Sequence, residues 1–232
     1  MNYAIIAAGQ GSRLVQEGVQ KPKPLVELNG EPMIARLIRI FAENNAESIS
    51  VIVNEEMTEV KALLDTLNPG CELNVVVKTT PSSMHSFYEL SRVMKPGKFC
   101  LNTVDTVFKE KDFASYVRAF DEDTDNDGMM AVTPFIDDEK PLFVETDEQN
   151  SIKAFLDEHA DGVKYVSGGV YALNEKAVRV LEECMANGMS RMRNFQRGLI
   201  AAGLKLKAYP IEKIVDVDHA NDIETAERFI SE

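Results

Sequence analysis

The sequence predicts an α/β fold in which a mainly parallel sheet is flanked by helices. Two observations carry this expectation. Strand-like and helix-like runs alternate through the first half of the chain, and the first strand-like run ends on a glycine-rich turn. Parallel strands need long crossovers, usually helical, so the alternation implies right-handed βαβ units with both sheet faces covered. No internal repeat or low-complexity linker interrupts the chain, and one domain over residues 1–232 is expected.

Taken in order, Tyr3–Ala8 is a short apolar strand. Pro32 suits the first turn of a helix, and Ile34, Leu37, Ile38 and Phe41 then repeat at the spacing of one buried helical face. Ile49–Val53 reads as the second strand, and Val60, Leu63, Leu64 and Leu67 mark the second helix. Leu73–Val77 is the third strand, Ser83 to Met94 a helix, and Phe99–Thr103 the fourth strand. The second half is less regular. Lys109–Phe120 reads as helix and Met129–Thr133 as strand, while Leu142–Thr146 and Ser151–Phe155 form a hairpin across Asp147–Asn150. Val166–Leu173 is a strand interrupted by Gly168 and Gly169. Helices follow at Glu175–Ala186 and Ser190–Ala202, two short strands at Lys205–Tyr209 and Ile214–Val217, and a last helix at Asn221–Ile230.

Charge narrows the function. Lys and Arg number 25 against 38 Asp and Glu, a net charge of −13. Nucleic acid and anionic membranes both require a basic footprint, so neither is an expected partner. A local cluster of cations and backbone N–H groups can still hold a triphosphate. No apolar run is long enough to span a bilayer, and the N-terminus lacks the pattern of a signal peptide, so a cytoplasmic location is expected. Cys71, Cys100 and Cys184 are scattered, without metal-ligand spacing, and do not make a disulfide framework.

The chemistry-bearing residues begin after the first strand, at Ala7, Ala8, Gly9, Gln10, Gly11, Ser12, Arg13 and Leu14. Glycines there let the backbone turn and offer successive N–H groups to an anion, and Arg13 adds a fork suited to phosphate oxygens. The third glycine of a dinucleotide fingerprint is absent, and no Gly-Lys-Ser/Thr follows, so this is neither that motif nor a P-loop. Lys21-Pro22-Lys23-Pro24-Leu25 comes next. Its prolines are expected to hold the segment extended and aim a lysine back at the glycine loop.

The run Ala7-Ala8-Gly9-x-Gly11-x-Arg13-Leu14, then Lys23-Pro24-Leu25, then Gly30, Pro32 and Ile34, resembles the signature of the sugar-phosphate nucleotidyltransferases. That superfamily also includes cytidylyltransferases and molybdenum-cofactor nucleotidyltransferases. The resemblance implies a Rossmann-like sheet of the nucleotide-diphospho-sugar transferase type, and a reaction that moves a nucleoside monophosphate from an NTP to a small phosphorylated acceptor. It implies that Ala8, Gly9, Gln10, Gly11 and Ser83 hold the nucleotide, with Arg13 on the outer phosphates and Lys23 on the α-phosphate. It further implies Mg²⁺, with Asp105 beyond the fourth strand as one ligand and Asp216, or its neighbour Asp218, as another. Gly168 and Gly169 would border the acceptor pocket, although a β-bulge explains them equally well. The family usually has glycine where this chain has Val104, a departure expected to alter the nucleotide's approach. Pro81–Ser86 lacks the family's glycine-threonine pattern, so the base is left open.

By periodicity, Asp216 and Asp218 point the same way if their strand reaches residue 218, and such close carboxylates need a cation between them. Asp222 reads as a first-turn helix acid. Asp123-x-Asp125-x-Asp127-Gly128 begins like a calcium loop but places Pro134 at its twelfth position, where a carboxylate is required. Met185, Met189 and Met192 read as packing, and His85, His159 and His219 share no metal spacing. Arg191 and Arg193 read mainly as a solvated helix face, with acceptor phosphate binding as the alternative. The acceptor expected is a sugar 1-phosphate. A cytidylyltransferase acting on phosphocholine, phosphoethanolamine or a phosphonate, and a nucleotide sensor without activity, are the rival readings. A homo-oligomer is left open.

Overall fold

The computed structural model describes residues 1–136 and 139–232. The first half runs β1 (Asn2–Ala7), α1 (Ser12–Gln16), β2 (Glu27–Leu28), β3 (Glu31–Pro32), α2 (Met33–Glu43), β4 (Ser48–Val53), α3 (Thr58–Leu64), β5 (Glu72–Val77), α4 (Ser83–Ser91) and β6 (Phe99–Thr103). It continues with β7 (Thr106–Val107), α5 (Glu110–Glu122), β8 (Gly128–Thr133), β9 (Phe143–Thr146), β10 (Ile152–Leu156) and β11 (Tyr165–Leu173). Then come α6 (Lys176–Ala186), α7 (Met192–Ala201), β12 (Leu206–Pro210), β13 (Val215–Asp216) and α8 (Ala220–Ser231).

The central sheet follows the order β10-β9-β11-β6-β1-β4-β5, with β8 joined to β11 and β12 joined to β8. Strands β6, β1, β4 and β5 are mutually parallel, and β11 enters antiparallel beside β6. Alternation along β1 shows how one sheet serves two cores. Tyr3, Ile5 and Ala7 face α2 and α5, where Tyr3 stacks on Phe41 at 4.5 Å and Phe108 on Phe113 at 4.6 Å. Ala4 and Ile6 face α4, α6 and α7, where Phe87 packs against Phe99 and Phe195. The expected stripe of α2 is wholly inside, since Ile34, Leu37, Ile38 and Phe41 are all buried.

Three local expectations are revised. Lys23–Leu25 is one turn of 3-10 helix rather than an extended segment. Pro22 alone is extended, and Pro24 sits in the first turn, where its missing N–H is not needed. A small hairpin, β2–β3, closes over Asn29-Gly30, both with positive φ (52° and 84°), and Pro32 ends that hairpin and caps α2 from outside. The last short strand stops at Asp216. The periodicity that would align Asp216 with Asp218 therefore does not apply.

Strand β11 changes partner partway along. Tyr165 and Val166 pair with β9, whereas Val170 to Leu173 pair with β6, and its ladder with β8 slips between Ser167 and Tyr171. Gly168 and Gly169 occupy the slip. Gly169 has φ of 74°, and a Cβ there would lie 2.5 Å from Thr106 Oγ1, while a Cβ at Gly168 would lie 2.3 Å from Ile214 Cδ1. Gly169 is demanded by its positive φ and by Thr106, whereas a side chain at Gly168 would require the end of Ile214 to move. The Tyr116 hydroxyl mends the broken ladder from α5, donating to the Met129 carbonyl at 2.6 Å and accepting from Ala172 N–H at 2.7 Å.

Candidate active site

The carboxyl ends of β1, β4, β5 and β6 open on one cleft, the place where parallel sheets bind ligands. A cavity of about 580 Å³ there is lined by the glycine loop Ala8–Arg13, Lys23, Asp105 and Asp218, and across from them by Thr79–Ser83. The loop leaves β1 at Ala8, whose carbonyl accepts from Asn54 Nδ2 at 3.2 Å, and turns into α1 at Gly11. Gly11 has φ of 61°, and a Cβ added to it would sit 2.9 Å from Lys23 Cβ. Only glycine lets the lysine come this close under the loop. The sequence motif and the aimed lysine are thus one steric unit.

Lys23 is buried, and its ammonium lies 2.6 Å from Asp105 Oδ2 and 2.6 Å from Asp218 Oδ1. Asp218 Oδ2 also accepts from Arg13 at 3.0 Å, so both its oxygens face cations. Burial alone would lower the lysine's pKa, but the two carboxylates more than offset it and push the ammonium above its usual range. Asp105 shows the mirror image, with burial raising the carboxyl and Lys23 holding it below the usual carboxylate range. The cation that close carboxylates require is, between Asp105 and Asp218, Lys23 itself.

Asp216 sits apart from this pair. It accepts from Thr106 Oγ1 at 3.1 Å, and Thr106 in turn meets Thr103 Oγ1 at 2.8 Å. Burial, then the charge of Asp105, push the Asp216 carboxyl up to about 8. Asp222 accepts from the N–H groups of Asp218 (3.0 Å) and His219 (2.6 Å), anchoring the segment that carries Asp218. Glu17 at the end of α1 accepts from Ala220 N–H at 2.6 Å and pairs with His219. Val104 turns its side chain into the core, and its N–H donates to Ile6 O at 3.0 Å.

Beyond Asp105 a second hollow, about 290 Å³, runs towards α7. It shares Ser83, Thr103, Asp105 and Asp218 with the first and adds Gly169, Asp216, Arg191 and Gln196. Gly168 lies outside both, against the small space near Ile214. Arg191, with φ of 71° and ψ of 139°, holds a conformation that costs a non-glycine residue about 1–3 kcal/mol. Its N–H donates to Ser82 Oγ at 3.3 Å. Gln196, Thr103 and Thr106 went unnoticed in the sequence. Gln196 carried a signal, for it falls on the buried stripe of α7 with Met192, Phe195 and Leu199, where a polar residue is out of place.

Asp105 and Asp216, hard oxygen donors that border the second hollow, are the residues that could hold a divalent cation. Among the described residues no three acidic, His or Cys side chains gather as a ready-made cage. Mg²⁺ is commonly held by one or two carboxylates with substrate phosphates completing its shell, so two suffice.

Sheet and cleft together define an α/β nucleotidyltransferase fold of the nucleotide-diphospho-sugar transferase type. The whole chain superimposes on the inositol-1-phosphate CTP transferase from T. maritima with a TM-score of 0.82 and 21% identity, covering 100% of this chain and 96% of that one. The model of the MobA-like NTP transferase domain matches residues 3–176, and the chain belongs to that family. It is 30% identical over 114 residues to the 2-aminoethylphosphonate cytidylyltransferase of Lancefieldella rimae, a match over 47% of this chain and 45% of the relative. With the bifunctional protein GlmU of Methanococcus maripaludis it shares 23% identity over 185 residues, 78% of this chain and 42% of that protein. In both cases the chain spans less than half of the relative's length. Among the described residues, no helix is long and apolar enough to cross a membrane.

Proposed function

We propose that the protein transfers a nucleoside monophosphate from an NTP to an oxygen of a small phosphorylated or phosphonylated acceptor, releasing pyrophosphate. The observation that carries this reading is the shared wall of the two hollows. Asp105 and Asp218 stand where a nucleotide in the first would meet an acceptor in the second, and Lys23, on the first hollow's side, pairs with both. The acceptor oxygen attacks the α-phosphorus, the bond to the β-phosphate oxygen breaks, and pyrophosphate leaves with that electron pair. The glycine loop offers N–H groups to the outer phosphates, and a side chain at Gly9 would meet only open space, room that a phosphate can use. Lys23 screens the α-phosphate, and Arg13 the outer ones, once each exchanges a carboxylate partner for phosphate oxygens. Positioning and charge screening of this kind account for most phosphoryl-type catalysis.

Asp105 and Asp216 would hold Mg²⁺, which neutralises phosphate charge when bound. Asp218, already facing Lys23 and Arg13, serves to position them. CTP is the donor we favour, because two of the relatives above are named for CTP or cytidylyl transfer. The test is a pyrophosphate-release screen crossing the four NTPs with sugar phosphates, inositol 1-phosphate, amino-alcohol phosphates and 2-aminoethylphosphonate, with Mg²⁺ and with EDTA. Turnover with CTP and one acceptor class, abolished by EDTA, is the expected result. Absence of turnover with every pair, despite nucleotide binding, would favour the sensor reading instead.

A further inference from the structure

Helix α7 and the residue before it carry three arginines, and the two within the helix are tied back to the protein. Arg193 bonds Asp157 at 2.6 Å and the Lys140 carbonyl at 3.0 Å, while Arg197 bonds the Phe155 carbonyl at 3.1 Å and Asp157 at 2.8 Å. Arg191, just ahead of the helix, is different. Its guanidinium has no hydrogen-bond or ion-pair partner among the described residues, and it lines the second hollow at the price of a strained backbone. Five residues further on, Gln196 is 2% exposed and borders the same hollow. Its Oε1 accepts from Ser167 Oγ at 3.1 Å, and its Nε2 bonds no described residue.

We infer that Arg191 and Gln196 form the acceptor subsite, Arg191 pairing with the phosphorus oxyanion and Gln196 Nε2 donating to a hydroxyl oxygen on the acceptor's body, so that the subsite selects hydroxylated phosphates over ammonium-bearing ones. This rests on the transferase reading of the same cleft. The chemistry is directional. A guanidinium and an amide N–H offer only donors, which suit phosphate and hydroxyl oxygens and leave an ammonium group nothing to bind. Of the carboxylates that border the hollow, Asp105 and Asp218 already face Lys23, and Asp216 accepts from Thr106 Oγ1 and is the one assigned to Mg²⁺ in that reading.

Two variants isolate the idea. Arg191→Gly removes the guanidinium and suits the positive φ, so the fold is retained. Gln196→Glu keeps the oxygen that Ser167 bonds and turns the free donor into an acceptor. Steady-state kinetics would be measured on parent and variants with inositol 1-phosphate, glucose 1-phosphate and 2-aminoethylphosphonate, alongside calorimetric binding of each acceptor alone. Arg191→Gly should raise the acceptor KM at least about tenfold, leave the NTP KM unchanged and melt no lower than the parent. Gln196→Glu should raise KM for the hydroxylated acceptors and lower it for 2-aminoethylphosphonate. Unchanged acceptor KM in both variants, or a parent that prefers 2-aminoethylphosphonate, overturns the inference while leaving transfer itself standing. If the parent turns over no pair but binds a hydroxylated phosphate in an Arg191-dependent way, the subsite stands and the transferase reading falls. No acceptor binding at all overturns the subsite.

Discussion

At the scale of single residues, Lys23 has two roles that one substitution should separate. Lys23→Met keeps the stem's volume and removes the ammonium, leaving Asp105 and Asp218 without the charge between them. Turnover should fall by roughly 10²-fold or more, the scale of losing one aimed donor at a developing charge. Stability should fall too, by roughly 3 kcal/mol, the low end for breaking a buried pair because Asp105 keeps some contact with water. Denaturant melts beside steady-state rates would check both, and a fully active or equally stable variant would contradict the arrangement. Asp216 should behave in the opposite way. Its folded-state value of about 8 lies above the ordinary carboxylate value of 3.8, so the folded protein binds that proton more tightly than the unfolded chain. The stabilisation is complete below about pH 4 and is lost as pH rises through about 8. In EDTA, the melting temperature of Asp216→Asn relative to the parent should therefore climb across this window. A flat difference from pH 4 to 8 would show that Asp216 is already ionised.

Among the elements, β11 depends on a side chain from elsewhere. Tyr116→Phe leaves Ala172 N–H and the Met129 carbonyl without their buried partner, and should cost about 1–3 kcal/mol by chemical denaturation. A loss below about 0.5 kcal/mol would mean the slipped ladder re-forms without the hydroxyl. This strand also marks where reading from sequence succeeds and where it stops. Strong periodicity placed α2, β4 and β6 within a residue or two, because each buries one uninterrupted face. Gly168 and Gly169 announced an interruption, but whether they admit a ligand or relieve a bulge depends on Thr106 and Ile214, which only the tertiary arrangement brings near. The β2–β3 hairpin went unread although Asn29-Gly30 is a strong signal for a tight primed turn, because its flanking strands are too short to show alternation. The cleft was legible through Gly11, Lys23 and Asp105. That Asp218 rather than Asp216 faces Lys23 was not, because the strand ends between them.

For the whole molecule, the cleft lies where strands from the parallel half meet segments from the far end of the chain, so a ligand there should brace both. NTP with Mg²⁺ at about 100 times its Kd should add about 2.7 kcal/mol to the unfolding free energy. A scan of melting temperature against NTP concentration would show it, and no shift at saturating NTP would rule out binding to the folded state. The lysine's two partners also carry a consequence for the order of events in folding. Lys23 reaches Asp105 across 82 residues of sequence and Asp218 across 195. Closing loops of that length gains nothing until both ends are in place, and contacts so distant in sequence tend to form late. On the ribosome, β1 and the glycine loop emerge ahead of the other strands described, yet Lys23 cannot find its second carboxylate until synthesis has passed β13. Refolding followed by circular dichroism and by turnover in one sample should therefore show secondary structure returning ahead of activity. A nascent chain would pass through a stage in which the sheet exists and the lysine is still free to move, so that the scaffold is ready before the chemistry is.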